Sequence, residues 1–86
     1  MNWQIGVDDS ARKYLKCIPK SDADRIAAVL EKIKIAGPYM GDIEKMKGQT
    51  NVWRRRVGSY RIMYEIYLGK RIVYVIEIER RTSKTY

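Results

Sequence analysis

The fold is decided by residues 52–79, which read VWRRRVGSYRIMYEIYLGKRIVYVIEIE. Val, Ile and Tyr dominate this stretch, and Gly58-Ser59 and Gly69-Lys70 divide it into three segments. β-Branched and aromatic residues favour strands, and short glycine-containing separations are typical of hairpin turns. Connections this short exclude parallel crossovers, so the stretch predicts a three-strand antiparallel meander. The predicted strands cover 52–57, 60–68 and 71–79.

Upstream of the meander, the pattern predicts one strand and two helices. Trp3, Ile5 and Val7 alternate with polar or small residues, as in a half-buried strand. Asp9 or Ser10 is expected to cap a first helix over 11–17, and Pro19 to end it.

A second helix should open at Ser21, with Asp24 completing a weak capping box. Its apolar residues have helical spacing, and Gly37-Pro38 stops it. Residues 39–51 show no period and are expected to form a loop. The sequence thus predicts a single α+β domain over 1–86, with the N-terminal strand and two helices packed on one face of an antiparallel sheet.

Composition narrows the function classes. The 86 residues have a net charge of +8, one cysteine and no histidine. An internal disulfide, a Ser-His or Cys-His pair and a Cys- or His-rich zinc pattern are therefore excluded. No apolar run is long enough to span a membrane, and residues 1–8 do not resemble a signal peptide, so we expect a cytoplasmic protein without metal or cofactor.

The positive charge belongs mainly to the second half of the chain. Residues 1–43 hold 7 basic and 6 acidic side chains, whereas residues 44–86 hold 11 and 4. A solubilising surface does not need such segregation. A polyanionic partner explains it more directly, with nucleic acid first and an acidic protein second.

The first hairpin should gather arginines on one face of the sheet. A two-residue turn at Gly58-Ser59 places Arg56 opposite Arg61, with Arg54 on the same face. Like charges facing each other are destabilising, so this arrangement indicates a site for an anion. Arg55 should point to the core face, from which its long stem could reach the rim unless a bulge re-aims it.

The second hairpin admits two registers. A two-residue loop would pair Ile62 with Glu77 on the core face, which is unfavourable. A three-residue loop over 68–70 instead sorts the apolar side chains onto one face, and we expect this register. Its pairs are Ile62 with Ile76, Tyr64 with Tyr74, Ile66 with Ile72 and Arg61 with Glu77. Glu79 and Arg81 would then share the face of Arg61, while Tyr64 and Tyr74 would lie in the core.

The motifs of this chain resemble those of the RelE/ParE toxin superfamily, and of its RelE-like members in particular. The resemblance is carried by Lys45-Met46-Lys47-Gly48, by the core Gly-Ser-Tyr-Arg-Ile-Met-Tyr-Glu at 58–65, and by Arg80-Arg81 and Tyr86. It covers nearly the whole chain. It implies a compact sheet with two helices and a toxin–antitoxin module of a bacterium or archaeon. RelE-type members cut mRNA in the ribosomal A site, whereas ParE-type members poison DNA gyrase.

The resemblance also implies roles for individual residues. The catalytic candidates are Arg54, Arg56, Arg61, Arg81 and Tyr86. The RNA-binding candidates are Lys45, Lys47, Arg55 and Arg80, and Arg80 could take the place of Arg81. Family members often have Lys where this chain has Arg54 or Arg56, and an arginine is a very poor general base.

The implied reaction is attack of an RNA 2′-hydroxyl on the adjacent phosphorus, which leaves a 2′,3′-cyclic phosphate. Without histidine, the proton acceptor must be Lys47, Tyr86 or a carboxylate such as Glu79. The implied partners are a cognate antitoxin, the ribosome and mRNA. Gyrase inhibition and non-catalytic RNA binding are the alternative functions.

Overall fold

The chain forms five strands and two helices in a computed structural model that describes residues 3–41, 43–48 and 51–80. In chain order they are β1 (Gln4–Val7), α1 (Asp9–Cys17), α2 (Lys20–Ala36), β2 (Ile43–Lys45), β3 (Val52–Val57), β4 (Tyr60–Tyr67) and β5 (Ile72–Arg80). The strands make one sheet in the order β1-β5-β4-β3-β2. The predicted α+β class, with both helices on one face, is confirmed.

The sheet is mixed, whereas the sequence predicted an antiparallel one. β1 runs parallel to β5, with Gln4 paired to Ile72 and Val7 to Val75. Short loops constrain only consecutive strands, and the chain between β1 and β5 is long enough to return in either direction. β2 is an additional short strand inside the predicted loop, paired to the outer edge of β3.

Both helices begin earlier than predicted. Asp8 caps α1 by accepting a hydrogen bond from the Ser10 amide at 3.1 Å, so the predicted cap at Asp9 or Ser10 is wrong. Pro19 precedes α2 without any side-chain cap, so the predicted capping box at its start is wrong. A proline there has a φ suited to entering a helix and lacks an N–H that would need a partner. The predicted end at Gly37 is confirmed, because this glycine has a φ of 99° and its amide donates to the Ile33 carbonyl.

The β3–β4 hairpin has the predicted register. Val57 lies opposite Tyr60 and Arg56 opposite Arg61, across the turn at Gly58-Ser59. β4 then alternates as expected. Its buried residues are Tyr60, Ile62, Tyr64 and Ile66.

The predicted β4–β5 register is wrong. The connection has four residues, 68–71, and its last residue, Arg71, has a φ of 56°. An irregularity at Ile76 then shifts the pairing by one position. The pairs are Ile66 with Val73, Tyr64 with Val75, Ile62 with Ile78 and Arg61 with Glu79.

The connection and the bulge together decide which β5 side chains enter the core: the four-residue connection turns Val73 and Val75 inward, and the bulge then turns Ile78 inward. Val73, Val75 and Ile78 are buried, whereas Tyr74, predicted to be a core residue, lies on the other face and donates to Asp8. Smaller β-branched side chains thereby fill the space beneath the helices. A bulge adds one unpaired residue, so the inward and outward positions along the strand are exchanged beyond it. A sequence pattern that assumes strict alternation does not reveal where this exchange occurs.

The core lies between the helices and one face of the sheet. Ala11, Ile26 and Ile33 from the helices pack against the buried residues of β3, β4 and β5. Tyr64 is fully buried and its hydroxyl donates to the Pro38 carbonyl at 2.9 Å, which ties the end of α2 to the sheet centre. The opposite face of the sheet therefore carries the polar residues. Within the described residues, neither helix is long and apolar enough to cross a membrane.

Candidate functional site

Three arginines converge on the face of the sheet that the helices leave open. Arg54 and Arg56 are two residues apart on β3, and Arg61 lies directly opposite Arg56 on β4. Together with Glu44 they line a pocket of about 100 Å³, which we call the arginine pocket. The predicted convergence of these three arginines on one face is confirmed.

Glu44 is the member of the arginine pocket that sequence reasoning missed. β2 places it opposite Arg54, whose Nη2 donates to Glu44 Oε1 at 2.7 Å. This hydrogen bond, with the positive charges of Arg54, Lys47 and Arg61, holds the pKa of Glu44 below its ordinary value. A strand of three residues is too short to show a period, so only its pairing with β3 reveals the position of this carboxylate.

A second carboxylate borders the arginine pocket on the other side. Arg61 Nη1 lies 3.1 Å from Glu79 Oε2, and both side chains are about one-third exposed, at 32% and 38%. Glu79 was predicted on this face, although Glu77 was the expected partner of Arg61. Arg54 and Arg61 are therefore each oriented by a carboxylate through one nitrogen, and their other N–H groups can still donate to an anion.

The RNA-binding candidates are divided between the two faces. Arg55 lies on the helix side, where Nη1 donates to the Met40 carbonyl at 2.7 Å, so its stem reaches the rim and it does not join the arginine pocket. Arg80 is exposed and pairs with Tyr60, which also places it on the helix side. By contrast, Lys45 and Lys47 line a space of about 360 Å³ that adjoins Glu44 and Arg54.

Two catalytic candidates, Arg81 and Tyr86, lie outside the described residues, and their roles stay predictions. Among the candidate proton acceptors, Glu79 borders the arginine pocket and Lys47 lies near Glu44. Glu44 joins them as a carboxylate that lines the pocket itself.

The arrangement suits a tetrahedral or pentavalent phosphate group. Guanidinium groups donate paired hydrogen bonds to phosphate oxygens and keep their charge at every physiological pH. Three of them around a volume of about 100 Å³ leave room for one phosphate and little more. The fold and the site thus define a small α+β protein with an arginine-lined pocket of about phosphate size on an open sheet face.

Comparison with known families identifies the kind of protein. The family model described as the ParE toxin of type II toxin–antitoxin systems matches residues 5–84, nearly the whole chain. The chain therefore belongs to this toxin family, within the RelE/ParE superfamily that its motifs resemble.

Individual relatives carry RelE names. A protein of Methanocaldococcus jannaschii named toxin RelE1 is 29% identical over 84 residues, which is 94% of this chain and 92% of that one. The RelE–RelB complex of Pyrococcus horikoshii OT3 has a chain with a TM-score of 0.81 and 18% identity, covering 98% of this chain and 100% of that one. The RelB–RelE antitoxin–toxin complex of Methanococcus jannaschii gives a TM-score of 0.73 and 26% identity, over 87% and 88%.

Proposed function

We propose that this toxin is a ribosome-dependent mRNA endoribonuclease. The observation that carries the proposal is the arginine pocket, in which Arg54, Arg56 and Arg61 surround a phosphate-sized space on an open face. An inhibitor acting only by protein–protein contact has no need for three converging guanidinium groups beside a carboxylate. A phosphodiester in the pocket would use all three.

The proposed reaction breaks one P–O bond and forms another. The 2′-hydroxyl oxygen loses its proton and attacks the adjacent phosphorus, the bond to the 5′-oxygen of the next nucleotide breaks, and that oxygen takes a proton from water, so that a 2′,3′-cyclic phosphate and a 5′-hydroxyl result. Arg54, Arg56 and Arg61 would stabilise the extra negative charge on the pentavalent phosphorus. The ribosome would supply the orientation of the mRNA.

Glu44 is our proposed acceptor of the 2′-hydroxyl proton. Its carboxylate is ionised in the resting site because Arg54 donates to it, which also makes it a weak base. When a phosphate oxygen takes over the guanidinium of Arg54, that stabilisation of the carboxylate is lost and its pKa rises. Substrate binding would therefore strengthen the base at the moment it is needed.

A cognate antitoxin is the proposed regulator, and mRNA on ribosomes in the cytoplasm the proposed target. Solved relatives of this fold are complexes of RelE with RelB. The net charge of +8 favours an acidic partner. Much of the affinity should nevertheless be apolar, because a segment that orders on binding must offset its lost entropy.

The test is primer extension on mRNA translated in vitro, with and without ribosomes. Cuts that require both the toxin and the ribosome, with cyclic phosphate at the new 3′ ends, would support the proposal. Arg56→Ala should abolish the cuts, whereas Lys13→Ala, which removes one exposed positive charge from α1, should leave them unchanged. Intact mRNA at toxin concentrations that stop growth would refute the proposal.

Gyrase inhibition is the second candidate, because the family model that matches is described for the ParE toxin. A supercoiling assay with purified DNA gyrase separates the two functions. Inhibition of supercoiling at toxin concentrations that leave translated mRNA intact would establish this alternative.

A further inference from the structure

A second feature of the open face is a flat group of side chains at the other end of β4. Glu65 pairs with Tyr74, and Tyr67 pairs with Ile72, so the four side chains form two adjacent rows. With Lys70 at the rim, they line a shallow depression of about 360 Å³. We call Glu65, Tyr67, Ile72 and Tyr74 the tyrosine platform.

The two tyrosine rings are held in place. The Tyr67 hydroxyl donates to Glu65 at 2.6 Å and the Tyr74 hydroxyl donates to Asp8 at 2.9 Å. These carboxylate partners raise the pKa of both phenols above its ordinary value, because each hydrogen bond requires the phenol to keep its proton. Each ring is therefore tethered at its hydroxyl end as well as at its Cβ.

Gly6 shows that the Tyr74 ring lies over the backbone of β1. A Cβ atom at Gly6 would come within 2.8 Å of Tyr74 Cδ1, closer than real Cβ contacts allow. The ring can take this position only because its parallel partner in β1 has no side chain. The Tyr74 ring therefore forms a flat aromatic surface that extends from β5 over β1.

The tyrosine platform and the arginine pocket share one face of β4. Arg61, Met63, Glu65 and Tyr67 alternate with the buried residues of that strand. Tyr67 is six residues beyond Arg61, which corresponds to about 20 Å along a strand. A single strand of RNA with a phosphate in the arginine pocket would therefore continue over the platform if it followed β4.

Charge distinguishes the two ends of this face. The lining of the arginine pocket has three cations to one carboxylate, whereas the platform has Lys70 beside Glu65 and the Asp8 carboxylate that holds Tyr74. Phosphates suit the first, and an uncharged planar group suits the second. Nucleobases stack on aromatic side chains with little regard to their identity.

We propose that the tyrosine platform stacks bases of the RNA strand whose scissile phosphate occupies the arginine pocket. This inference rests on the proposed function. Tyr67, which is 41% exposed, provides the accessible ring and Tyr74 the fixed one. Lys70 at the rim would meet the backbone phosphate of a stacked nucleotide.

The test measures binding of the purified toxin to short fluorescent 2′-O-methyl RNA oligonucleotides, which cannot be cleaved because the 2′-oxygen is blocked. Tyr67→Leu removes the ring but keeps an apolar side chain, and Tyr67→Phe keeps the ring but loses the bond to Glu65. The dissociation constant should rise at least about fivefold for the Leu variant, the lower end of what one stacked base contributes. The Phe variant should stay within about twofold of wild type.

A matched change in the RNA completes the experiment. Replacing one base with an abasic site should weaken binding to the wild type and have little effect on Tyr67→Leu, because the stacking partner is already gone. Equal affinities of wild type and Tyr67→Leu, or no measurable binding of any oligonucleotide, would overturn the platform. Circular dichroism should give both variants the wild-type melting temperature, since the side chain is exposed.

Failure of the platform and failure of the ribonuclease proposal give different results. Ribosome-dependent cleavage with no effect of Tyr67→Leu on RNA binding would overturn the platform alone. Ring-dependent RNA binding without any cleavage would uphold the platform and refute the ribonuclease. Loss of affinity for the antitoxin in Tyr67→Leu, with RNA binding unchanged, would assign this surface to protein contact instead.

Discussion

Replacing Arg61 with alanine should slow cleavage by about 10³-fold while leaving the fold intact. Arg61 is one of three guanidinium groups around the arginine pocket, and its loss also leaves Glu79 without the partner it holds at 3.1 Å. Removing one positioned donor from a site of developing negative charge typically costs 10²–10³ in rate, roughly 2.7–4 kcal/mol. The unpaired Glu79 carboxylate adds repulsion toward the phosphate, so we expect the upper end of that range.

The stability cost of the same substitution should be small. The Arg61–Glu79 pair is about one-third exposed, and ion pairs of this kind contribute about 0–1 kcal/mol. For a domain of this size, that corresponds to a fall of less than about 8 °C in melting temperature. The loss of activity and the loss of stability are therefore separable in one variant.

The assay compares primer-extension cleavage rates on ribosome-bound mRNA for wild type, Arg61→Ala and Arg61→Lys. Lysine keeps the charge but loses the paired hydrogen bonds, so its rate should be intermediate. Lys13→Ala is the control, because it removes one exposed positive charge from α1, on the other side of the sheet. Cleavage by Arg61→Ala within about tenfold of wild type, which is about 1.4 kcal/mol of barrier, would remove Arg61 from the site.

Three further predictions test the surrounding structure. Because the hydrogen bond from Arg54 holds the pKa of Glu44 in the free toxin below its ordinary value, kcat/KM for cleavage, which reports the free enzyme, should be independent of pH from about 5 to 8 and be lost with Glu44→Gln; a rise in kcat/KM with a midpoint near 7 would point to another acceptor. Tyr64→Phe should cost about 1–3 kcal/mol in a denaturant titration, because it leaves the Pro38 carbonyl without its donor. Burial raises the pKa of Tyr64 to about 12, so wild-type stability should fall as pH rises from 10 towards 12, and the Phe variant should show a weaker dependence, to which Tyr67 and Tyr74 still contribute. Deleting Tyr86 should leave the melting temperature unchanged but slow cleavage at least tenfold, about 1.4 kcal/mol, if its phenol takes part in the chemistry.

Local patterns were sufficient for much of the fold. The turn at Gly58-Ser59 set the β3–β4 register and so placed Arg56 opposite Arg61 correctly. The end of α2 at Gly37 was equally readable, because a positive φ favours glycine. The bulge at Ile76 could not be predicted from the sequence, because several registers of an Ile- and Val-rich strand bury similar apolar area.

The arginine pocket also combines features that the sequence predicted with features that only the structure revealed. Alternation along two strands joined by a tight turn is sufficient to bring the three arginines together on one face. The carboxylates that hold Arg54 and Arg61 were not assignable, because Glu44 belongs to a three-residue strand and the pairing of Glu79 depends on the bulge. The sequence correctly placed Glu79 on the face of Arg61 while giving Arg61 the wrong partner.

By itself, then, the sequence determined the features that depend on neighbours along the chain: the helices, the first hairpin, the arginine face and the family resemblance. Tertiary structure decided the parallel direction of β1, the bulge in β5, and the positions of Glu44 and Tyr74. These depend on contacts between residues far apart in the chain. The stability of these contacts is set by how the helices and the sheet pack together. The spacing of apolar residues along the chain carries no information about that packing.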